Sequence, residues 1–399
     1  MIFNTYWFVL FTVVFFPGYW LIRWPAARGW WLLCGCAVFH THFAGPAGVV
    51  PIVVLGALTY ACALSGNRLL CYGAVAACVI ALVGYKYTHF LSAEILAAIA
   101  PELGAKTNAI AATWLPAIPP LALSFFTFEF VHYLVDVARG HAPIRRPKEF
   151  ALFAIYFPSL VAGPIKRYQD FTAALPKALG RVELADVAAG AQRVALGFCK
   201  KILLADNLTL ALAFHEKDFF ALTAPEAWLF LAALAARILL DFSGYTDIAL
   251  GFSQMLGVRL PENFNYPYAA TGLRDFWARW HISLSSWIRD YIYIPLGGSR
   301  HGRFRRFLNL VVAFALCGLW HGPAGHFLLW GLWHGGGLVV QATYRTALGP
   351  LGAKLGAGFD RVPLLGWLVT LLFVAFGWLL FFYPVAQAWA MAVKLLTFR

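Results

Sequence analysis

Continuous apolar runs, separated by short clusters of arginine and lysine, pattern the chain from Ile2 to Leu396. A membrane-spanning helix needs about 20 mostly apolar residues. Runs of that kind predict spans at roughly 3–22, 29–44, 48–65, 69–85, 107–135, 148–164, 187–213, 222–254, 307–320, 324–345 and 362–396. A membrane β-barrel would instead show short segments alternating apolar and polar positions. The expectation is therefore an all-α, polytopic membrane protein with about ten or eleven transmembrane helices. Pro116, Pro119, Pro120 and Pro164 are placed to kink or end their helices. The first run lacks a basic leader and continues into further spans, so it reads as a retained helix rather than a signal peptide.

One stretch breaks the pattern. Between Gly257 and Arg306 hydropathy falls, and Arg274, Asp275, Arg279, Arg289 and Asp290 interrupt the aromatic residues. Charged or irregular backbone survives at membrane depth only where protein or a wet cavity surrounds it. This segment is expected to be re-entrant or interfacial, with the helices grouped around a central funnel or tunnel. The only repeat is local: Gly318-Leu-Trp-His-Gly322 recurs at Gly331-Leu-Trp-His-Gly335.

Composition agrees with a lipid environment: 61% of residues are hydrophobic and 12% charged, against about 25% charged in soluble domains. The formal charge of +13 raises the question of nucleic acid. Its carriers, at Arg139 to Lys148, Lys166–Arg167, Lys200–Lys201 and Arg300 to Arg306, sit in short loops. They mark cytoplasmic loops under the positive-inside rule, and no nucleic-acid partner is expected. Arg23 and Arg28, after the first span, place the N-terminus outside. The seven cysteines show no paired zinc-type spacing and read as small hydrophobes, and His40 with His42 lacks further ligands, so no metal is expected.

Candidate chemistry centres on histidine. From Arg306, a helix rising about 1.5 Å per residue carries His321 roughly 22 Å into a bilayer core about 30 Å thick. Gly322 and Pro323 then break the helix, which describes a protein-lined cavity better than a lipid contact. A neutral imidazole there can accept the proton of an attacking hydroxyl; the alternative is a packed core histidine. A helix over Phe276–Trp287 would put Trp277, His281, Leu284 and Ser285 on one face, so that His281 either completes a site with His321 or anchors the chain at the interface. His326 and His334 read as supporting or packing residues. Glu129, His132, Tyr133 and Asp136 form a polar stripe at helical spacing, which either lines a passage or packs internally. Asp241, Ser243, Tyr245 and Asp247 are similar candidates. No Gly-x-Ser-x-Gly elbow, phosphate-binding glycine loop or His-Glu-x-x-His pair is present.

Several strings go further. Asn263-Phe-Asn-Tyr-Pro-Tyr268, the run from Arg274 through Trp280-His281 to Gly298, and Leu319-Trp-His-Gly322 resemble the membrane-bound O-acyltransferase family, in its bacterial alginate O-acetylase-like branch. Ser124 to Phe128, Ala162 to Ile165 and Asp241 to Asp247 support the resemblance in the same order. It implies one membrane domain over 1–399: variable N-terminal helices at 1–106, a catalytic core at 107–345 and C-terminal helices at 346–399. It implies His321 as the essential catalytic residue and His281 as its companion. Trp277, Ser285, Asn263 and Trp320, with Glu129, His132, Asp136, Asp241 and Tyr245, are the candidate substrate-binding or tunnel-lining positions.

The activity so implied moves an acetyl group from a cytoplasmic thioester, acetyl-CoA, to an extracytoplasmic polysaccharide in the bacterial inner membrane. No cofactor is tightly bound. A periplasmic SGNH-type or esterase-like protein is the implied partner. D-alanyl transfer from a carrier protein is the rival within the same architecture, and Ile294-Pro-Leu-Gly-Gly298 resembles the acetylase branch more closely. A transporter or an inactive export scaffold is the reading from another class; a transporter would be signalled by paired interrupted helices in two similar halves.

Overall fold

The computed structural model describes residues 2–116 and 119–397. Among them every regular element is helical, and a single bridge between Phe264 and Trp280 is the nearest approach to a strand. The chain is all-α, as its apolar runs predict. It divides into two compact units: Met1–Leu196 with Thr246–Pro261, and Gly197–Tyr245 with Glu262–Arg399.

The first unit opens with α1 (Tyr6–Leu21), started by the Thr5 hydroxyl, which accepts the Phe8 N–H at 3.2 Å. Phe8, Phe11, Phe15 and Tyr19 recur at helical spacing and are buried, while Val9, Leu10, Val13 and Val14 stay exposed. A helix that is apolar on both its packed and its open face is suited to lipid rather than water. α2 (Pro25–Ser65) bends at Gly45, whose φ of +66° an L side chain rarely adopts. The turn to α3 (Arg68–Phe90) uses left-handed Gly66, and the Asn67 side chain then caps α3 by accepting from the Leu69 and Leu70 N–H groups. A π-helical turn, Leu91–Leu96, extends α3 into α4 (Ala97–Ile99).

The span expected over 107–135 is two helices, α5 (Pro101–Trp114) and α6 (Leu123–Ala138). The proline-rich connection breaks it, and Ala122 sits at φ +62°; residues 117–118 lie outside the described residues. The span expected over 148–164 ends early, as α7 (Pro147–Ile155) gives way to turns before Pro164. α8 (Tyr168–Gly180) and α9 (Leu184–Phe198) follow. Buried Arg28 ties this unit together, donating to the carbonyls of Tyr19 and Ile22 at the end of α1 and of Leu179 and Gly180 at the end of α8, at 2.6–3.1 Å. Helix C-termini carry partial negative charge, so a guanidinium needs no carboxylate there.

In the second unit a π-helical segment, Cys199–Asp206, runs into α10 (Asn207–Glu216). α11 (Ala224–Met255) begins where Glu226 accepts from the Thr223 N–H and hydroxyl. The segment expected to be irregular contains two short helices, α12 (Leu273–Arg279) and α13 (Ile282–Ile288), and a π-helical turn, Arg289–Tyr293. α14 (Gly302–His321), α15 (Gly325–Ala347) and α16 (Gly349–Arg361) come next. The span expected over 362–396 is broken at Tyr383–Pro384 into α17 (Pro363–Phe382) and α18 (Val385–Thr397).

Among the described residues, Ala47–Ser65, Arg68–Ile99, Ala224–Met255 and Pro363–Phe382 are long and apolar enough to cross a membrane, and Tyr6–Leu21 and Val385–Thr397 are shorter apolar helices. The chain is a multi-pass membrane protein.

Candidate active site

His321 is the last residue of α14, because Gly322 turns to extended backbone and Pro323 cannot continue the ladder. α15 returns along α14 at very close range. A Cβ added to Gly318 would lie 2.2 Å from the Phe327 carbonyl oxygen, and one added to Gly331 would lie 2.2 Å from that of Phe314. Only glycine admits this approach, and both glycines open copies of the local repeat. The half-buried His321 ring thereby meets Trp320, Trp330 and Phe381 at centroid distances of 4.8, 5.1 and 5.0 Å.

The single helix expected over Phe276–Trp287 does not form. His281 separates α12 from α13 with a left-handed φ of +43°, so Trp277 and Ser285 do not share a helical face with it. Asn263 holds the turn: its carbonyl accepts from the Ile282 N–H, and its Oδ1 accepts from the Ser283 N–H and hydroxyl at 3.1 and 2.6 Å. Asn263 is therefore a scaffold for His281. The His281 ring packs on Phe242 at 4.7 Å and on Trp320 at 6.3 Å, so Trp320 stands between the two histidines. Both His281 nitrogens are buried without a hydrogen-bond partner, and burial pushes the ring down to about 3, leaving it neutral.

His334 is fully buried between Trp277 and Trp330, at 5.1 and 4.9 Å. His326 Nδ1 donates to the Leu380 carbonyl at 2.9 Å, which ties α15 to α17.

A cavity of about 910 Å³ opens beside this aromatic cluster, within the second unit. Arg274, Arg289 and Arg306 supply charge, and Trp277, Ser285 and Ser286 line it with them. On α14 the lining residues Arg306, Leu310, Ala313 and Cys317 follow helical spacing. His321 is the next position of that stripe, one turn past the end of the lining. The stripe was readable in the sequence at i, i+4, i+7 and i+11; what concealed it was that the same residues also look like an ordinary apolar helix face.

The other candidates are placed elsewhere. Glu129, His132 and Asp136 lie buried in the first unit. Lys166 Nζ donates to Glu129 at 2.5 Å, the Tyr168 N–H donates to His132 Nε2, and Gln169 donates to Asp136 at 2.8 Å, which is the internal-packing arrangement. Asp241 pairs with Lys201 at 2.5 Å, and Tyr245 lies in the same unit.

The profile of the membrane-bound O-acyltransferase family matches residues 134–386. A probable alginate O-acetylase from Pseudomonas aeruginosa is 39% identical over 284 residues, 70% of this chain and 52% of that protein. A peptidoglycan O-acetyltransferase from Helicobacter pylori is 31% identical over 291 residues, 66% of this chain and 54% of its own. A teichoic acid D-alanyltransferase from Bacillus subtilis is 31% identical over 224 residues, 52% of this chain and 55% of its own. The chain spans about half the length of the curated relatives it matches.

Proposed function

Since the chain belongs to the membrane-bound O-acyltransferase family, we propose that it is an O-acetyltransferase that carries an acetyl group from a cytoplasmic thioester, acetyl-CoA, to a hydroxyl of an extracytoplasmic polysaccharide. The observation that carries this reading is the lining stripe of α14, which leads from Arg306 to Cys317 and reaches His321 one turn later. Arg274, Arg289 and Arg306 offer charge-assisted hydrogen bonds to the donor's phosphates. The narrow acyl-thioester arm then follows the apolar residues of the stripe toward the broken helix end.

There His321 accepts the proton of the acceptor hydroxyl as its oxygen attacks the thioester carbonyl. The tetrahedral intermediate collapses with cleavage of the C–S bond, and the thiolate takes up the proton, leaving an ester and free thiol. Neutral His281, held by its left-handed turn beside Trp320, keeps the wall of the site uncharged and fixes the indole against which His321 packs. The enzyme works in the bacterial inner membrane, and a periplasmic SGNH-type or esterase-like protein receives the acetyl group or delivers it to the polymer.

His321→Ala is expected to lower acetyl transfer at least about 100-fold, the lower range for loss of a general base, with insertion and yield unchanged. Ester-linked acetate on the surface polymer and free thiol released from acetyl-CoA are measured together; wild-type levels of both in this variant refute the assignment. D-alanyl transfer is the second reading, favoured by the match to a teichoic acid D-alanyltransferase. The acetylases cover more of the chain. Supplying the purified protein with acetyl-CoA or with a D-alanyl carrier protein separates the two.

A further inference from the structure

The rings that pack on His321 come from two places. Trp320 and Trp330 belong to α14 and α15, whose spacing Gly318 and Gly331 fix. Phe381 comes from α17 and meets the imidazole at a centroid distance of 5.0 Å. For that ring to keep its place, the end of α17 must be held. The helical ladder cannot hold it. The Tyr383 N–H bonds the Leu379 carbonyl, the chain then turns to extended backbone at Tyr383 (φ −123°, ψ 148°), and Pro384 has no N–H to offer Leu380.

His326 supplies the missing donor. It stands in the first turn of α15, five residues beyond His321, and its Nδ1 reaches the Leu380 carbonyl at 2.9 Å. A carbonyl only accepts, so Nδ1 carries the proton and the tautomer is set. The bond thus acts on the residue next to Phe381. Hydrogen bonds fix direction as well as distance, whereas the edge-on packing of Phe381 on Phe327 and Trp330, at 5.3 and 5.4 Å, leaves the helix end free to turn. Two turns back along α17, Trp333 Nε1 donates to the Phe373 carbonyl at 3.1 Å and holds the body of the helix. The His326 bond is the tie at the end that meets His321. Neither His326 nor Phe381 lines the arginine-rich cavity.

We propose that His326 is a positioning residue for His321. Through the Leu380 carbonyl it fixes Phe381, and Phe381 fixes the angle at which the imidazole meets hydroxyl and thioester. This rests on the acyltransferase reading above and adds a second histidine to it, one that touches no substrate. A misplacement of about 1 Å at the reacting centre costs about 100-fold in rate, so a remote bond of ordinary strength is enough to matter.

The test compares His326→Asn with His326→Gln in the full chain. The asparagine amide nitrogen falls where Nδ1 was and keeps the donor to Leu380; that of glutamine falls where Nε2 was and loses it. Thiol release from acetyl-CoA is measured in native membranes, which hold the acceptor, and is normalised to folded protein. His326→Gln is expected to lower kcat about 10- to 100-fold with the KM for acetyl-CoA unchanged, and His326→Asn to stay near wild type. The 15N resonances of the His321 ring, assigned by their loss in His321→Ala, are read in the purified proteins; they shift in His326→Gln and hold in His326→Asn. Equal kcat in the two variants, or a His321 resonance that His326→Gln leaves in place, overturns the proposal. Should His326→Gln fail to fold, Phe381→Leu decides: it must shift the same resonance and lower kcat at constant KM. Failure of the underlying reading looks different, since His321→Ala then releases thiol at the wild-type rate whatever the resonances do.

Discussion

His281 shows how one backbone angle decides what a side chain can do. Its φ of +43° ends α12, starts α13 and turns the ring inward against Phe242 and Trp320. With its ring held down at about 3, the folded protein keeps it neutral, whereas the unfolded chain protonates it near 6.5. Stability from this residue is therefore fully present above about pH 6.5 and lost as the pH falls toward 3, at about 2 kcal/mol between pH 7 and pH 5. Asparagine tolerates left-handed backbone and does not titrate, so His281→Asn is expected to flatten the fall of melting temperature over that interval; an unchanged slope would show that other groups cause it. His321 was legible because Gly322 and Pro323 announce a helix end at membrane depth. The geometry of His281 was not, since its turn is held by hydrogen bonds to Asn263, on a separate loop upstream, that no helical or strand spacing encodes.

At the scale of elements, the α14–α15 pair is set by what Gly318 and Gly331 lack. Adding one methyl at either position drives a carbon into a carbonyl oxygen, and overpacking of that kind costs about 1–3 kcal/mol even where neighbours can yield. Gly331→Ala is expected to lower the melting temperature in detergent and to reduce transfer, because the contact of Trp330 with His321 depends on the approach. Gly336, in the same helix, has open space where a Cβ would be. Gly336→Ala should be neutral or stabilise by up to about 1 kcal/mol. If both variants melt alike, close approach does not control the pair. The repeat Gly-Leu-Trp-His-Gly was visible in the sequence, but its purpose needed the partner helix. The proline breaks between α5 and α6 and at Pro384 illustrate the converse: hydropathy averages over a kink, so one apolar run became two helices.

For the molecule as a whole, the continuous hydropathy revealed a multi-pass helical protein. It did not reveal the division into two units, since lipid-facing and protein-facing residues are drawn from the same apolar set. The cavity of the second unit escaped for the same reason, apart from its arginines. Their collective charge predicts a selective effect: Arg306→Gln should raise the KM for acetyl-CoA by about tenfold or more, as one charge-assisted contact is worth about 1.5–3 kcal/mol. The KM for acetyl-pantetheine, which has no phosphate, should stay constant, and an equal rise for both donors would place the effect in packing instead. In the first unit, Arg28 and Tyr19 reach carbonyls at residues 178–180, and Tyr19 and Trp20 also reach those of Met255 and Leu256. Those acceptors leave the ribosome more than 150 and 230 residues later. At about 5–20 residues per second, Arg28, which finds the Tyr19 and Ile22 carbonyls at once, waits on the order of ten seconds for its contacts at the end of α8. The charge is therefore only half satisfied until α8 has been made, so the start of the chain cannot settle into its final packing before then.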